Sequence, residues 1–152
     1  MNRKFVVIGS PLGHSMSPFI HEKLFAKKGI LATYGMREIP PGHLMEQKEA
    51  LAALDGFNIT IPHKEAVIPL LDGLDSRAAL YGAVNTVRCE NGRMTGYNTD
   101  CTGFCARWRS SISLKGRVAV LGAGGAARMM VFEAAAAGAK VTIAARPSGL
   151  AR

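Results

Sequence analysis

Long apolar runs are missing from this chain. Hydrophobic residues fill 48% of its 152 positions, but Gly, Pro or charge interrupts each run well short of the ~20 residues a membrane-spanning helix needs. The opening Met1-Asn2-Arg3-Lys4 leads into Phe5-Val6-Val7-Ile8-Gly9, too short for a secretory core and followed by no credible cleavage site. The expected setting is therefore cytoplasmic, with no membrane partner. Cysteine is also scarce. Cys89, Cys101 and Cys105 form neither a CxxC pair nor an even disulfide set, and no His stands at zinc-finger spacing from them, so reduced thiols and no metal site are expected. Acidic residues are few, 11 against 19 Lys and Arg, for a net charge of +8. That balance favours phosphorylated cofactors and carboxylate metabolites. The basic residues are scattered and lack interleaved aromatics, so no nucleic-acid partner is expected.

What is present reads as an α/β chain, long enough for one buried domain and part of a second. Residues 5–9 read as a strand, followed by a loop to Ser17, which is placed to cap a helix with Pro18 in its first turn. Phe19, Ile20, Leu24 and Phe25 recur at helical spacing until Gly29. A strand over 33–39, a helix over 44–54 and a strand over 57–61 come next, then a short helix from His63 and further helical turns over 76–80. Strands over 83–88 and 93–97 flank Asn91-Gly92, a strong hairpin signal. A helix is expected from Cys101 to about Arg109, capped by Asp100 or Thr99. From 117 the character changes: a strand over 117–121, a glycine turn, a helix over 128–137 and a strand over 140–145 form a βαβ unit.

The turn Gly122-Ala123-Gly124-Gly125-Ala126-Ala127 fits G-x-G-x-x-A between a strand and a helix. A backbone without side chains lets a pyrophosphate approach the helix N-terminus, whose free N–H groups attract anions. At the end of the second strand, where an NAD site carries an acid, the chain has Arg146. A carboxylate there would repel a 2′-phosphate, whereas arginine pairs with it, which favours NADP; a solvated loop cation is the alternative. Nearer the N-terminus, Ser15 and Ser17 precede a helix and suit either capping and solvent or donation to a carboxylate. Asn58 and Asn85 interrupt strand-like runs, where Asn is depleted. Backbone bonding in a turn would satisfy either amide, as would a ligand.

Taken together, Gly13-His14-Ser15-Met16-Ser17-Pro18, Asn58-Ile59-Thr60-Ile61-Pro62-His63-Lys64, Gly82-Ala83-Val84-Asn85-Thr86 and Asn98-Thr99-Asp100 resemble, in order and spacing, the shikimate dehydrogenase family. The likeness runs through Gly122 to Ala126 and covers essentially the whole chain. It implies a mixed-sheet α/β substrate-binding domain over 1–110, the first βαβ unit of a Rossmann-type NADP domain over 111–152, and a site in the cleft between them. By this resemblance Ser15 and Ser17 hold a substrate carboxylate, while Thr60, Lys64, Asn85 and Asp100 contact ring hydroxyls. Lys64 and Asp100 look like the catalytic pair, and Gly122, Ala123, Gly124, Gly125, Ala126 and Arg146 the cofactor contacts. The implied activity is reversible, NADP-dependent reduction of 3-dehydroshikimate to shikimate, in chorismate and aromatic amino acid biosynthesis; the sequence leaves the oligomeric state open, a homodimer among the alternatives. Oxidising the secondary alcohol sends a hydride to the nicotinamide and a proton to Lys64. A quinate or shikimate dehydrogenase of other cofactor preference, and a non-catalytic ligand-binding module, are the competing readings.

The family often carries Asn-Arg-Thr after the second strand of the nucleotide domain; this chain has Ala145-Arg146-Pro147 and keeps only the arginine. Family members also continue well beyond the equivalent of Arg152. The 152-residue chain is therefore expected to be a fragment that binds NADP poorly and turns over slowly, if at all.

Overall fold

The computed structural model describes residues 2–109 and 116–146, side chains of 107–109 apart. Six strands form one mixed sheet: β1 (Arg3–Gly9), β2 (Ala32–Glu38), β3 (Gly56–Ile59), β4 (Gly73–Leu74), β5 (Thr86–Glu90) and β6 (Arg93–Tyr97), in the order β2-β1-β3-β5-β6-β4. β1 runs parallel to β2 and β3, and β4 parallel to β6, whereas β5 is antiparallel to both its neighbours. The helices are α1 (Ser17–Lys28), α2 (Lys48–Ala52), α3 (His63–Ala66), α4 (Ser76–Tyr81) and α5 (Asp100–Arg109). Beyond them β7 (Arg117–Leu121), α6 (Gly125–Ala136) and β8 (Lys140–Ala144) form a parallel βαβ unit with a two-stranded sheet of its own. The mixed α/β class is as expected. The boundary expected at 110/111 lies outside the described residues, as does Pro147.

Period-two alternation explains β3, the strand that carries Asn58 and leads to Thr60 and Lys64. Phe57 and Ile59 are 2% and 3% exposed and join Ile8, Leu51, Val67, Val87 and Met94 in the main core. Asn58 between them, and Thr60 just beyond, point to the opposite face. The 57–61 segment thus breaks the usual preference for apolar strand residues because its second face is polar by construction. The strand also ends earlier than expected, at Ile59, before Pro62 could remove a ladder donor. The hairpin forms as its turn residues dictate: Asn91 and Gly92 both have positive φ, 52° and 76°.

Several local expectations differ from the structure. Ser17 does not cap α1. It is the first helical residue, and the Ser15 hydroxyl accepts its N–H at 3.4 Å instead. The helix 44–54 is a 3-10 turn (Met45–Gln47) followed by the short α2. Helix α5 begins at Asp100, one residue before the expected Cys101, so Thr99 stands just ahead of it, and the Thr99 and Asp100 side chains are bonded within the polar cluster described below. α6 begins at Gly125, three residues early, since Gly124 in extended conformation already serves as its N-cap. The two-residue β4 had no sequence signal. On α1, Phe19, Ile20 and Leu24 face outward, 56%, 49% and 48% exposed, while His21 and Phe25 pack on the sheet beside Tyr34 and Phe5.

Candidate active site

The polar cluster sits where the parallel strands end. The loop after β1 brings Ser15, the segment after β3 brings Thr60 and Lys64, the turn after β6 brings Thr99 and Asp100, and the entry to antiparallel β5 brings Asn85 to the same edge. Open α/β sheets bind ligands at this edge, because loops leaving strand C-termini converge there.

At the centre Lys64 Nζ donates to Asp100 Oδ2 at 2.5 Å, and Asn85 Nδ2 donates to the other carboxylate oxygen, Oδ1, at 2.6 Å. Lys64 and Asp100 side chains are 19% and 32% exposed, so the pair is sheltered yet open to a ligand. Asn85, 8% exposed, is held from all sides. Its Nδ2 also donates to Thr99 Oγ1 at 3.0 Å, and its Oδ1 accepts the Thr99 N–H at 2.9 Å and the Thr86 hydroxyl at 3.0 Å. Such saturation fixes the amide flip and makes Asn85 the orienter of the carboxylate. Asn98, also buried, donates to the Ala83 carbonyl and accepts the Asp100 N–H, tying the start of α5 to the segment before β5. His63 anchors α3 from behind through a 2.6 Å bond between Nε2 and the Ile39 carbonyl.

A second branch leads to the serines. Asn58 Nδ2 donates to Thr86 Oγ1 at 3.0 Å, and its Oδ1 accepts the Tyr34 hydroxyl at 2.7 Å. Burial pushes the Tyr34 phenol up to about 12, against a smaller opposing effect of a hydrogen bond from Ser17. His21 stacks on the same ring at 4.0 Å and bonds the Ser17 carbonyl through Nδ1. Hydrogen bonds therefore link Tyr34 to Lys64 through Asn58, Thr86, Asn85 and Asp100, and Ser17 adjoins this chain through His21. Ser15 stands at the mouth of α1, half-buried, and Thr60 follows Asn58 on the polar face.

The glycine turn faces this cluster across a cleft of about 500 Å³, lined on one side by Ile61, Pro62, Lys64 and Glu65 and on the other by Leu121, Gly122 and Gly124–Ala127. The three glycines differ in what they do. Gly122 has φ 108°, which only glycine adopts without strain, and its N–H bonds the Ala144 carbonyl at 2.8 Å. A Cβ on Gly124 would meet nothing within 4 Å, so its backbone is open to close approach by a ligand. A Cβ on Gly125 would stand 2.8 Å from Ala83 Cβ and 3.5 Å from Lys64 Cβ, so this glycine is required by the contact between the two halves. The turn and the N-terminus of the 12-residue α6 suit a pyrophosphate. Ala123 and Arg146 do not line the cleft; Arg146 is exposed just past β8. Among the described residues no His, Cys, Asp and Glu group could hold a metal, and Cys89, Cys101 and Cys105 form no disulfide. No helix among them is long and apolar enough to cross a membrane.

Tyr34, Thr86, Thr99 and Asn98 belong to the cluster without having been singled out as site residues. Asn58 carried a signal, an amide in an apolar strand. Tyr34 carried none, because an aromatic in a strand is ordinary.

Fold and cluster together define a class: a mixed-sheet ligand-binding domain with a Lys–Asp pair at its strand ends, docked to the opening βαβ unit of a dinucleotide-binding domain. The family described as the shikimate dehydrogenase substrate binding domain matches residues 7–87, over half of the chain, and the chain belongs to that family. The NADP(+)-shikimate dehydrogenase of Streptococcus thermophilus is 43% identical over 153 residues, covering 99% of this chain and 54% of that protein. The crystal structure of shikimate dehydrogenase from Aquifex aeolicus is similar with a TM-score of 0.91 at 41% identity, over 99% of this chain and 58% of that one. The Thermus thermophilus enzyme in complex with NADP(H) and shikimate has a TM-score of 0.87 at 36% identity, over 98% and 59%. The chain spans about half the length of the curated relatives it matches.

Proposed function

We propose that the cleft binds shikimate and 3-dehydroshikimate and that this chain carries the substrate-binding and proton-transfer half of an NADP-dependent shikimate dehydrogenase. The observation that carries the reading is the Lys64–Asp100 pair, oriented by Asn85 and facing the glycine turn across the cleft. Ser15 and Ser17 take the substrate carboxylate at the N-terminus of α1, where hydroxyl donors and the helix dipole both favour an anion. Thr60, Asn85 and Asp100 take ring hydroxyls. Lys64 accepts the alcohol proton in oxidation and returns it in reduction, and Asp100 keeps the ammonium aimed at the reacting oxygen. A bound nicotinamide supplies the hydride acceptor or donor. Gly122, Ala123, Gly124, Gly125 and Ala126 receive the pyrophosphate, and Arg146, free of any carboxylate neighbour in sequence, receives the 2′-phosphate. The division into a substrate-binding domain over 1–110 and a nucleotide-binding portion over 111–152, a cytoplasmic setting and a homodimeric assembly belong to the same reading.

Calorimetric titration of the purified chain with shikimate, then NADP, tests it. Shikimate should bind, and Ser15→Ala should weaken it roughly tenfold or more, the value of one hydrogen bond to a charged group. Lys64→Ala should weaken it as well. Absence of shikimate binding by a folded chain would remove the reading.

A further inference from the structure

The helix that carries the glycine turn meets the first domain along one stripe. Gly125, Arg128, Met129, Phe132 and Glu133 recur at helical spacing and all face α4, α5 or α3. Met129 is buried with Tyr81, Ala83 and Cys101; the Tyr81 hydroxyl donates to Glu133, and the Tyr81 and Phe132 rings lie 6.0 Å apart. At the other end of the stripe, next to the turn itself, Arg128 Nη2 lies 3.2 Å from Glu65 Oε2. The guanidinium crosses Gly82, where a Cβ would come within 3.1 Å of Nη1. Glu65 directly follows Lys64, and Arg128 lies one turn from the glycines, so this ion pair joins the two walls of the cleft beside the turn.

We propose that Glu65 and Arg128 are positioning residues: their ion pair holds the glycine turn at a set height over Lys64. Neither touches the reacting atoms. The pair works with the Gly125–Ala83 contact, which sets the distance of closest approach, while the pair supplies the attraction that keeps the walls there. It also offsets the charge of Glu65, a residue that lines the cleft. The assignment of the cleft to a dehydrogenase underlies this inference, but the pin itself is testable without ligand.

Amide hydrogen exchange over 124–130 reads opening of the first turn of α6. Glu65→Gln and Arg128→Met should each speed it about fivefold, the upper range for a half-exposed pair, with peptides from β1 and β3 unchanged. The exchanged pair, Glu65→Arg with Arg128→Glu, should return the rate to within about twofold of wild type, a rescue that loss of packing alone would not produce. Equal rates in all four proteins would overturn the proposal, as would loosening spread over the whole chain or failure of the exchanged pair to restore protection. Shikimate titration of the wild-type chain tests the dehydrogenase reading separately, and its failure would leave the exchange result standing.

Discussion

Replacing Asn85 by aspartate keeps the shape of the side chain and its acceptor oxygen, yet turns the donor that faces Asp100 into a second carboxylate oxygen. The two oxygens would stand at the 2.6 Å now occupied by a hydrogen bond. Two full charges at that spacing repel by about 6 kcal/mol at an effective dielectric of about 20. Sharing one proton between them costs about 4 kcal/mol near pH 7, roughly three pH units above an ordinary carboxylate. The proton is the cheaper route, as in acid pairs that share a site. Asn85→Asp should therefore lose about 3–4 kcal/mol near neutrality, since Lys64 offsets part of the repulsion. Most domains are stable by about 5–15 kcal/mol, so the variant should remain folded. The loss should depend on pH with a defined sign. A carboxyl pair that holds its proton more tightly folded than unfolded adds stability below the unfolded value near 4 and loses it as pH rises. Urea denaturation from about pH 4 to pH 8 should show the gap between variant and wild type closing toward acid. Asn85→Ala, which also removes the bonds to Thr99 and Thr86, should lose stability without that closure. A gap for Asn85→Asp that is under about 0.5 kcal/mol near neutrality, or constant with pH, would refute the bonding described for Asp100.

Two further outcomes test other parts of the structure. Gly125→Ala puts a methyl 2.8 Å from Ala83 Cβ, which is buried and has no rotamer to yield. It should cost about 1–3 kcal/mol in urea denaturation, whereas Gly124→Ala, with open space around it, should cost under about 0.5 kcal/mol. The Tyr34 phenol, raised to about 12 by burial, should stay neutral in the folded chain at pH values where free tyrosine ionises. Because its folded value lies above the unfolded one near 10, its contribution to stability is complete below about pH 10 and fades toward about pH 12. Ultraviolet titration of wild type against Tyr34→Phe should show the lost signal in that upper range; a difference centred near pH 10 would contradict the buried hydroxyl bond to Asn58.

Much of this protein was legible in one dimension. Strand alternation, the Asn91-Gly92 turn and the strand–glycine–helix unit are each written within a short continuous stretch, because dihedral preference and period act locally. The residues of the polar cluster, Tyr34 excepted, were readable through the resemblance their short motifs carry. Their partnerships were not. Lys64 and Asp100 are 36 residues apart, Tyr34 and Asn58 24 apart, and Glu65 and Arg128 63 apart, and nothing at either end of such a pair specifies the other. The reversed direction of β5 is what brings Asn85 to the same edge as the loops after β1, β3 and β6. Likewise, Gly125 reads in the sequence as part of a phosphate-binding turn, while its neighbours Ala83 and Lys64 make it the point where the two halves touch. Composition, period and turn chemistry therefore determined which elements form and which residue types are available for chemistry. Only tertiary packing decided which of them meet, because distances across a sheet edge depend on strand order and on what lies on the far side of each close contact.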